Sequence, residues 1–365
     1  MKTILTIILF ILMLTIIISI HEFGHFITAK LFNVYVFEYS IGMGKKLFSK
    51  KGKETLFSIR LLPIGGYCSL AGEEDNDLQN NPDIDVDISS IPPERTLNGI
   101  AKWKKIIILL SGVFMNFLLA LLIVSMVFLS YGKIYNSPKP IVNEVKVGYP
   151  AYEAGIIKDD EILEVKLENG YSFSPETMNE FSNFMSLYEK GEITLLINRD
   201  GKKIEFKVTP IYDEESEYYV IGISSYEVEV VEMNILNCFQ YGFSYLVMMT
   251  KLIWTTLLGL FRGVGFDNLS GPVGIYRATS DAVNAGMSTY VLLIGAISLN
   301  IGIFNLLPIP ALDGGRVILT LVEAIIRRPI NKKLENIIMT ISVLIFILLM
   351  LFATGSDILR LFRGN

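Results

Sequence analysis

The chain has 365 residues, 51% of them hydrophobic and 19% charged, with a formal net charge of −5. That length allows two or three modules, the charged fraction falls below the roughly 25% of soluble domains, and no basic surface argues for nucleic acid. Cysteine occurs only as Cys68 and Cys238, which leaves no CxxC metal pair and argues against a disulfide framework.

Residues 4–20 form an uncharged apolar run that leads into His21. The run lacks a small-residue cleavage site, so it reads as a retained membrane span rather than a signal peptide. His21-Glu22-Phe23-Gly24-His25 follows, and it contains both histidines of the chain. On a helix, residues four apart share a face, so both imidazoles can reach one metal ion. Glu22 lies about 100° round the helix from His21. From there it can take a proton from a water at the metal as that water attacks a carbonyl. His and Glu at the end of an apolar span are costly unless functional. The alternative is a chance match to a loose five-residue pattern. Gly24 has a packing reading as well, since a small residue allows close helix approach.

Residues 34–70 alternate apolar and polar side chains, with Gly42, Gly44, Gly65 and Gly66 as punctuation, and read as hairpin strands. Residues 75–87 are acidic, contain Pro and Asn, and read as a solvated linker. A second span covers residues 106–131, with Asn116 as its most polar member. Residues 138–225 read as a soluble mixed region. Strands are predicted at 141–145, 193–198 and 203–208, with a turn at Asn198-Arg199-Asp200-Gly201. Residues 235–261 are apolar but include Asn237, Gln240, Ser244 and Lys251, which suggests an amphipathic helix lying on the membrane. As a fifth span this stretch would reverse the direction of everything after it.

The third span is predicted at 290–307 and the fourth at 337–353, the latter near the lower limit of about 17 residues. Residues 305–315 read Asn-Leu-Leu-Pro-Ile-Pro-Ala-Leu-Asp-Gly-Gly. Pro308 and Pro310 cannot continue a helical ladder, so the chain must break there. Broken backbone at membrane depth is tolerated where it is buried in protein or lines a wet cavity. Without a third histidine, a third protein ligand must be a carboxylate or a thiolate, and Asp313 is the best candidate in apolar context. The alternative makes Asp313 the N-cap of a helix at an interfacial turn. Lysines 30, 45, 46, 50, 51 and 53 follow the first span, Lys102, Lys104 and Lys105 precede the second, and Arg327, Arg328, Lys332 and Lys333 lie between the third and fourth. Both loops are therefore expected to be cytoplasmic, with the N-terminus and residues 132–289 outside. Arg360 and Arg363 argue the other way. With four spans, the first and third run in the same direction and bring His25 and Asp313 to one depth.

At these residues the chain resembles the site-2 protease family of intramembrane zinc metalloproteases. Within it the match is to the bacterial branch that carries a PDZ domain and processes anti-sigma factors and remnant signal peptides. The resemblance rests on HEFGH at 21–25 and NLLPIPALDGG at 305–315. Further support comes from residues 34–70, from LSGPVGI at 269–275, and from stretches 148–155 and 160–165, which resemble a bacterial PDZ pattern. Asp159 stands where that pattern has Gly, and Asp can visit the left-handed region. Val113 stands where the family commonly has proline, which implies a less kinked second span. The resemblance implies that His21, His25 and Asp313 bind Zn2+ and that Glu22 is the catalytic base. It makes Asn305, Pro308 and Pro310 the candidate substrate-binding positions. It also implies that the loop after the first span is membrane-associated and offers a strand edge to an extended substrate. The PDZ-like module would either capture substrate tails or act as a size filter.

The expected fold is an α-helical polytopic membrane protein of about four spans, with a membrane-associated β-hairpin region and an inserted PDZ-like, β-rich domain. Expected boundaries are 1–33 for the first span with HExxH, 34–105 for the cytoplasmic β-loop and linker, and 106–131 for the second span. The PDZ-like domain takes 132–230, a membrane-associated amphipathic region 231–289, the third span with the Leu-Asp-Gly motif 290–326, and the basic loop and fourth span 327–365. The expected activity is zinc-dependent hydrolysis within transmembrane segments of single-span protein substrates in the cell membrane, with no nucleic acid partner. A zinc transporter would instead spread its ligands along a path through several helices, and a catalytically dead PDZ scaffold would tolerate replacement of Glu22.

Overall fold

The computed structural model of the protein describes residues 2–73, 90–167, 170–187, 191–213, 218–261, 271–328 and 330–363. The acidic stretch 75–87 and the first two residues of the LSGPVGI run lie outside the described residues. The chain divides into two compact units, residues 1–130 with 235–365, and residues 131–234.

The first unit is built on helices α1 (Lys2–Leu31), α2 (Lys102–Tyr131), α4 (Ile235–Phe261), α5 (Pro272–Ala285), α6 (Met287–Asn305), α7 (Asp313–Ile326) and α8 (Lys332–Arg363), with α3 in the second unit. Four of them are long and apolar enough to cross a membrane: Thr3–Leu31, Lys102–Tyr131, Met287–Asn305 and Lys333–Ile358. At 1.5 Å rise per residue they extend about 28–45 Å, against a hydrocarbon core of about 30 Å. The first helix runs on past the apolar stretch, so HExxH lies inside it rather than at its end. Its Gly24 sits against α2, where an added Cβ would meet the Ser111 backbone oxygen at 2.3 Å. The close approach lets Thr28 Oγ1 reach Ser111 Oγ at 2.8 Å. Met13 and Ile17 of α1 pack on Ala282, Tyr290 and Ile294. Leu246 and Leu257 of α4 join Ala120, Val124, Leu299 and Ile303, so this amphipathic helix rests on α2 and α6.

The segment 290–326, expected to carry the third span at 290–307 and the Leu-Asp-Gly motif, holds two helices. Helix α6 ends at Asn305, and a separate helix α7 starts at Asp313. Pro308 and Pro310 occupy the intervening turn, as the missing amide hydrogens require. The N-cap of α7 is Leu312, with no side-chain cap, and Asp313 is the first helical residue. Asp313 is therefore not the N-cap, and its carboxylate is available for another task.

Strands β1 (Val36–Lys51) and β2 (Leu56–Leu70) form the predicted hairpin region. Residues 36–41 pair with 66–70, from Val36↔Leu70 to Ile41↔Gly66, while Leu56–Ile59 lies alongside both Glu38–Ile41 and Phe48–Lys51. Inside it, fully buried Glu38 takes two bonds from Arg60 Nη2 at 2.8 and 2.9 Å and one from Tyr67 Oη at 2.7 Å. At its base Glu54 accepts from Lys30 at 2.9 Å and Arg95 at 2.8 Å. These bonds, the one from Lys30 foremost, hold the Glu54 carboxyl below the usual range.

The second unit carries a four-stranded sheet in the order β6 (Ser172–Phe173), β5 (Glu161–Leu167), β7 (Ile193–Arg199), β8 (Lys202–Val208). Helix α3 (Met178–Leu187) covers it, and Met178, Phe181 and Met185 meet Ile162, Val165, Ile193, Leu195 and Ile197 in one core. Shorter pairs join β4 (Val142–Val145) to β11 (Ile223–Ser225), β9 (Ile211–Asp213) to β10 (Tyr218–Val220), and β3 (Lys133–Asn136) to β12 (Glu229–Glu232). The predicted turn closes β7 on β8 with Asp200 at φ 52° and Gly201 at φ 79°, the two left-handed positions of a type I′ hairpin. Asp159 adopts φ 69°, the conformation its place in the turn requires.

Candidate metal centre

The helix α1 places His21 and His25 one turn apart on the face toward α2, and the start of α7 brings Asp313 opposite them. His21 Nε2 lies 3.0 Å and His25 Nε2 3.5 Å from Asp313 Oδ2. The two Nε2 atoms are 3.2 Å apart. Among the described residues this is the one group of three or more His, Cys, Asp or Glu side chains able to hold a metal ion. Nitrogen and oxygen ligands about 2.0–2.2 Å from a tetrahedral zinc lie about 3.3–3.6 Å from each other. The three separations match that spacing within a few tenths of an ångström.

The protons around the triad point the same way. His25 Nδ1 lies 2.8 Å from the Ile108 carbonyl oxygen, an acceptor, so Nδ1 carries the hydrogen and Nε2 presents a lone pair. Asp313 Oδ2 is buried without a hydrogen-bond donor. Lone pairs converging in a buried space repel one another unless a cation sits among them, so the donor set fits zinc.

Helix α2 makes the room. A Cβ on Gly112 would come within 2.5 Å of His25 Nε2 and 2.7 Å of His21 Nε2. Ile108, Gly112 and Asn116 are spaced by four, so one stripe of α2 faces both rings. Sequence reasoning singled out Asn116 only for its polarity and gave neither Ile108 nor Gly112 a role. Their spacing is the available signal, but in an apolar span it equally fits packing.

A cavity of about 390 Å³ opens beside the triad and is lined by Glu22, Cys68, Glu73, Asn305 and Arg316 as well as the three metal-facing side chains. Glu22 Oε2 accepts the Cys68 amide hydrogen at 3.0 Å. That amide belongs to the 66–70 segment, whose opposite side pairs with β1, so the outer edge of the segment faces the cavity. Glu73 and Arg316 form an ion pair at its lining. Asn305 reaches the cavity from the end of α6, whereas Pro308 and Pro310 do not line it. Instead the turn that holds them packs on Gly314 and Gly315, where added Cβ atoms would meet the Leu306 and Ile309 carbonyl oxygens at 2.3 and 2.2 Å.

A bundle of apolar helices with two histidines, a carboxylate and an adjacent glutamate around one buried point defines a membrane-embedded metallopeptidase. The chain belongs to peptidase family M50, the site-2 proteases, whose family profile matches residues 9–349. It is 34% identical over 353 residues to a predicted zinc metalloprotease of Clostridium acetobutylicum, covering 96% of this chain and 97% of the relative. It is equally 34% identical to a predicted zinc metalloprotease of Fusobacterium nucleatum, over 98% of this chain and 100% of the relative. It is 31% identical to zinc metalloprotease RasP of Oceanobacillus iheyensis, over 98% and 99% of the two chains. The protein is thus a membrane zinc metalloendopeptidase of the site-2 protease type.

Proposed function

We propose that His21, His25 and Asp313 hold the zinc, that Glu22 is the general base, and that the enzyme cuts peptide bonds within transmembrane segments of single-span proteins. The observation that carries this reading is the convergence of the two imidazoles and the carboxylate, with ligand atoms all within 4.8 Å of one another, on a cavity that Glu22 also lines. Zinc bound there would polarise the scissile carbonyl and acidify water. Glu22 takes the proton of the attacking water and passes it to the leaving amine. An unwound substrate segment adds to the outer edge of residues 66–70, where backbone hydrogen bonds fix the scissile bond. Asn305 donates to or accepts from that segment from the opposite wall. A transporter would spread ligands along a path, and the convergence on one point beside a carboxylate supports hydrolysis instead.

The biological role that fits is regulated intramembrane proteolysis of substrates such as anti-sigma factors or remnant signal peptides. The lysine-rich segment between α1 and α2 and the basic stretch between α7 and α8 support a cytoplasmic face there, with the N-terminus and residues 131–234 outside. The latter unit serves as a PDZ-like module. A groove of about 600 Å³ between α3 and the β10–β11 region, lined by Met178, Phe181, Met185, Tyr219 and Ile223, supports strand capture of a peptide.

The test is cleavage of a panel of single-span peptides by the purified protein in lipid, wild type against Glu22→Gln. Cleavage is expected to disappear while bound zinc is retained. Equal cleavage by both proteins overturns the assignment of the base.

A further inference from the structure

We infer that Asn116 is a positioning residue for His21, accepting the Nδ1 hydrogen of that ring and so aiming its Nε2 lone pair at the metal. This inference rests on the reading of His21 as a zinc ligand. Asn116 is fully buried in α2, and its side-chain amide lies 3.2 Å from His21 Nδ1. Its Oδ1 is buried with no hydrogen-bond partner. The oxygen and nitrogen of an amide are nearly isosteric, so the same side chain can present Oδ1 to the ring. That orientation gives the orphaned oxygen a donor. The opposite one points an N–H donor at Nδ1, which must then accept and leave the ring hydrogen on Nε2, 3.0 Å from Asp313 Oδ2, where a ligand needs its lone pair.

The neighbouring ring shows the same device with a different acceptor. His25 Nδ1 is held at 2.8 Å by the Ile108 carbonyl, two turns before Asn116 on the same stripe of α2. One helix face thus orients both ligands, one through a backbone carbonyl and the other through a side-chain amide. Metal-bound imidazoles commonly need such an outer acceptor, and its loss costs about 10–100-fold in metal affinity or activity. The packing role of position 116 is carried separately, because Ser298 Oγ donates at 2.9 Å to the backbone oxygen of Asn116, not to its side chain.

The experiment compares wild type, Asn116→Asp, Asn116→Leu and His21→Ala in lipid. Zinc affinity is measured by chelator competition, and the imidazole resonances by selective 15N-histidine labelling of the zinc-loaded protein. The chain contains only two histidines, so the spectrum holds two rings. The aspartate keeps an acceptor of the same reach and is expected to hold zinc within a few-fold of wild type. The leucine is expected to lose about 10–100-fold. In the leucine protein the His21 Nδ1–H resonance should move upfield while the His25 resonance stays. If Asn116→Leu binds zinc like wild type with both resonances unmoved, the inference is overturned. An aspartate variant that binds zinc at least tenfold more weakly than wild type overturns it too, and this arm stands even if the leucine protein fails to fold. Retention of zinc by His21→Ala would instead overturn the ligand reading itself.

Discussion

Gly112 of α2 faces His25 of α1 so closely that a Cβ on the glycine would come within 2.5 Å of the ring nitrogen Nε2. That nitrogen is the atom turned to Asp313, so the contact lies at the centre and not at its margin. Gly112→Ala should therefore displace both imidazoles, because His21 Nε2 is only 2.7 Å from the same point. On helix propensity alone the change favours the fold, by about 1 kcal/mol. The expected result is a protein that folds as well as wild type without metal yet binds zinc at least tenfold more weakly. Chelator competition together with metal-free thermal unfolding checks it. Unchanged zinc affinity would show that the rings do not need this space.

Asp313 and Asn305 stand on opposite sides of the break between α6 and α7, and their chemistry separates them. Asp313→Ala removes one of the three proposed ligands, so zinc content and cleavage should fall together. Asn305→Ala leaves the three donor atoms in place, so zinc affinity should stay within about twofold while kcat/KM for a single-span peptide falls about 10–100-fold, the loss of about 1.4–2.7 kcal/mol of polar contact. Parallel metal analysis and cleavage assays decide. Removal of zinc by a chelator should silence the wild type, and added zinc should restore it.

How much of this was legible beforehand follows from where each signal sits. The histidines and Glu22 lie within five consecutive residues, so helical spacing alone brings them together. Asp313 was reachable because an apolar span ends there in two prolines and because no third histidine exists. The turn at Asp200–Gly201 and the left-handed Asp159 were legible because backbone preference is local. Ile108, Gly112 and Asn116 were not, because their role depends on a contact between α1 and α2 across some 83–95 positions of sequence. Nothing local distinguishes that stripe from ordinary packing. The break at Pro308 and Pro310 was legible too, because proline cannot continue a helix, but not that a second helix would start with the aspartate at its first position.

The Cys68 amide, not its thiol, meets Glu22, donating to Oε2 at 3.0 Å. Cys68→Ser keeps that amide and should retain zinc binding and cleavage within about twofold, and thiol alkylation should act only by bulk. Cys68→Pro removes the hydrogen, which an edge position tolerates structurally. Cleavage should then fall at least tenfold with zinc affinity preserved, since the cavity-facing edge loses a donor. A serine variant that loses zinc would reveal the thiolate as a ligand.

In the second unit Asp160 is fully buried and held by Arg199 through two bonds of 2.7 Å, from Nε and Nη2, and by the Ile157 amide at 2.9 Å. Arg199→Met leaves that carboxylate with a single donor inside the unit. Breaking such a pair costs about 3–5 kcal/mol, and the low end applies because the arginine side chain is 26% exposed. Residues 131–234 should therefore unfold at lower denaturant, read by hydrogen exchange across β5 and β7. Zinc affinity should not change, since the metal-facing residues all belong to the other unit.

Asp357 is the corresponding buried carboxylate of the helical unit, set in the last span and 5% exposed. Its Oδ2 accepts the amide hydrogens of Gly271 and Gly274, both at 2.8 Å, at the start of α5. Those hydrogens are among the four that a helix N-terminus cannot satisfy internally, and the N-cap Gly271 has no side chain to do so. The carboxylate therefore does two things at once: it caps α5 and pins α8 to it. Asp357→Ala should cost about 1–3 kcal/mol through the two unsatisfied donors, and more than Asp357→Asn, whose amide oxygen can still accept. Unfolding in mixed micelles should rank the proteins wild type, asparagine, alanine, with zinc affinity unchanged throughout. An asparagine variant no more stable than the alanine would mean that charge near the α5 N-terminus, rather than hydrogen-bond acceptance, holds the two helices together.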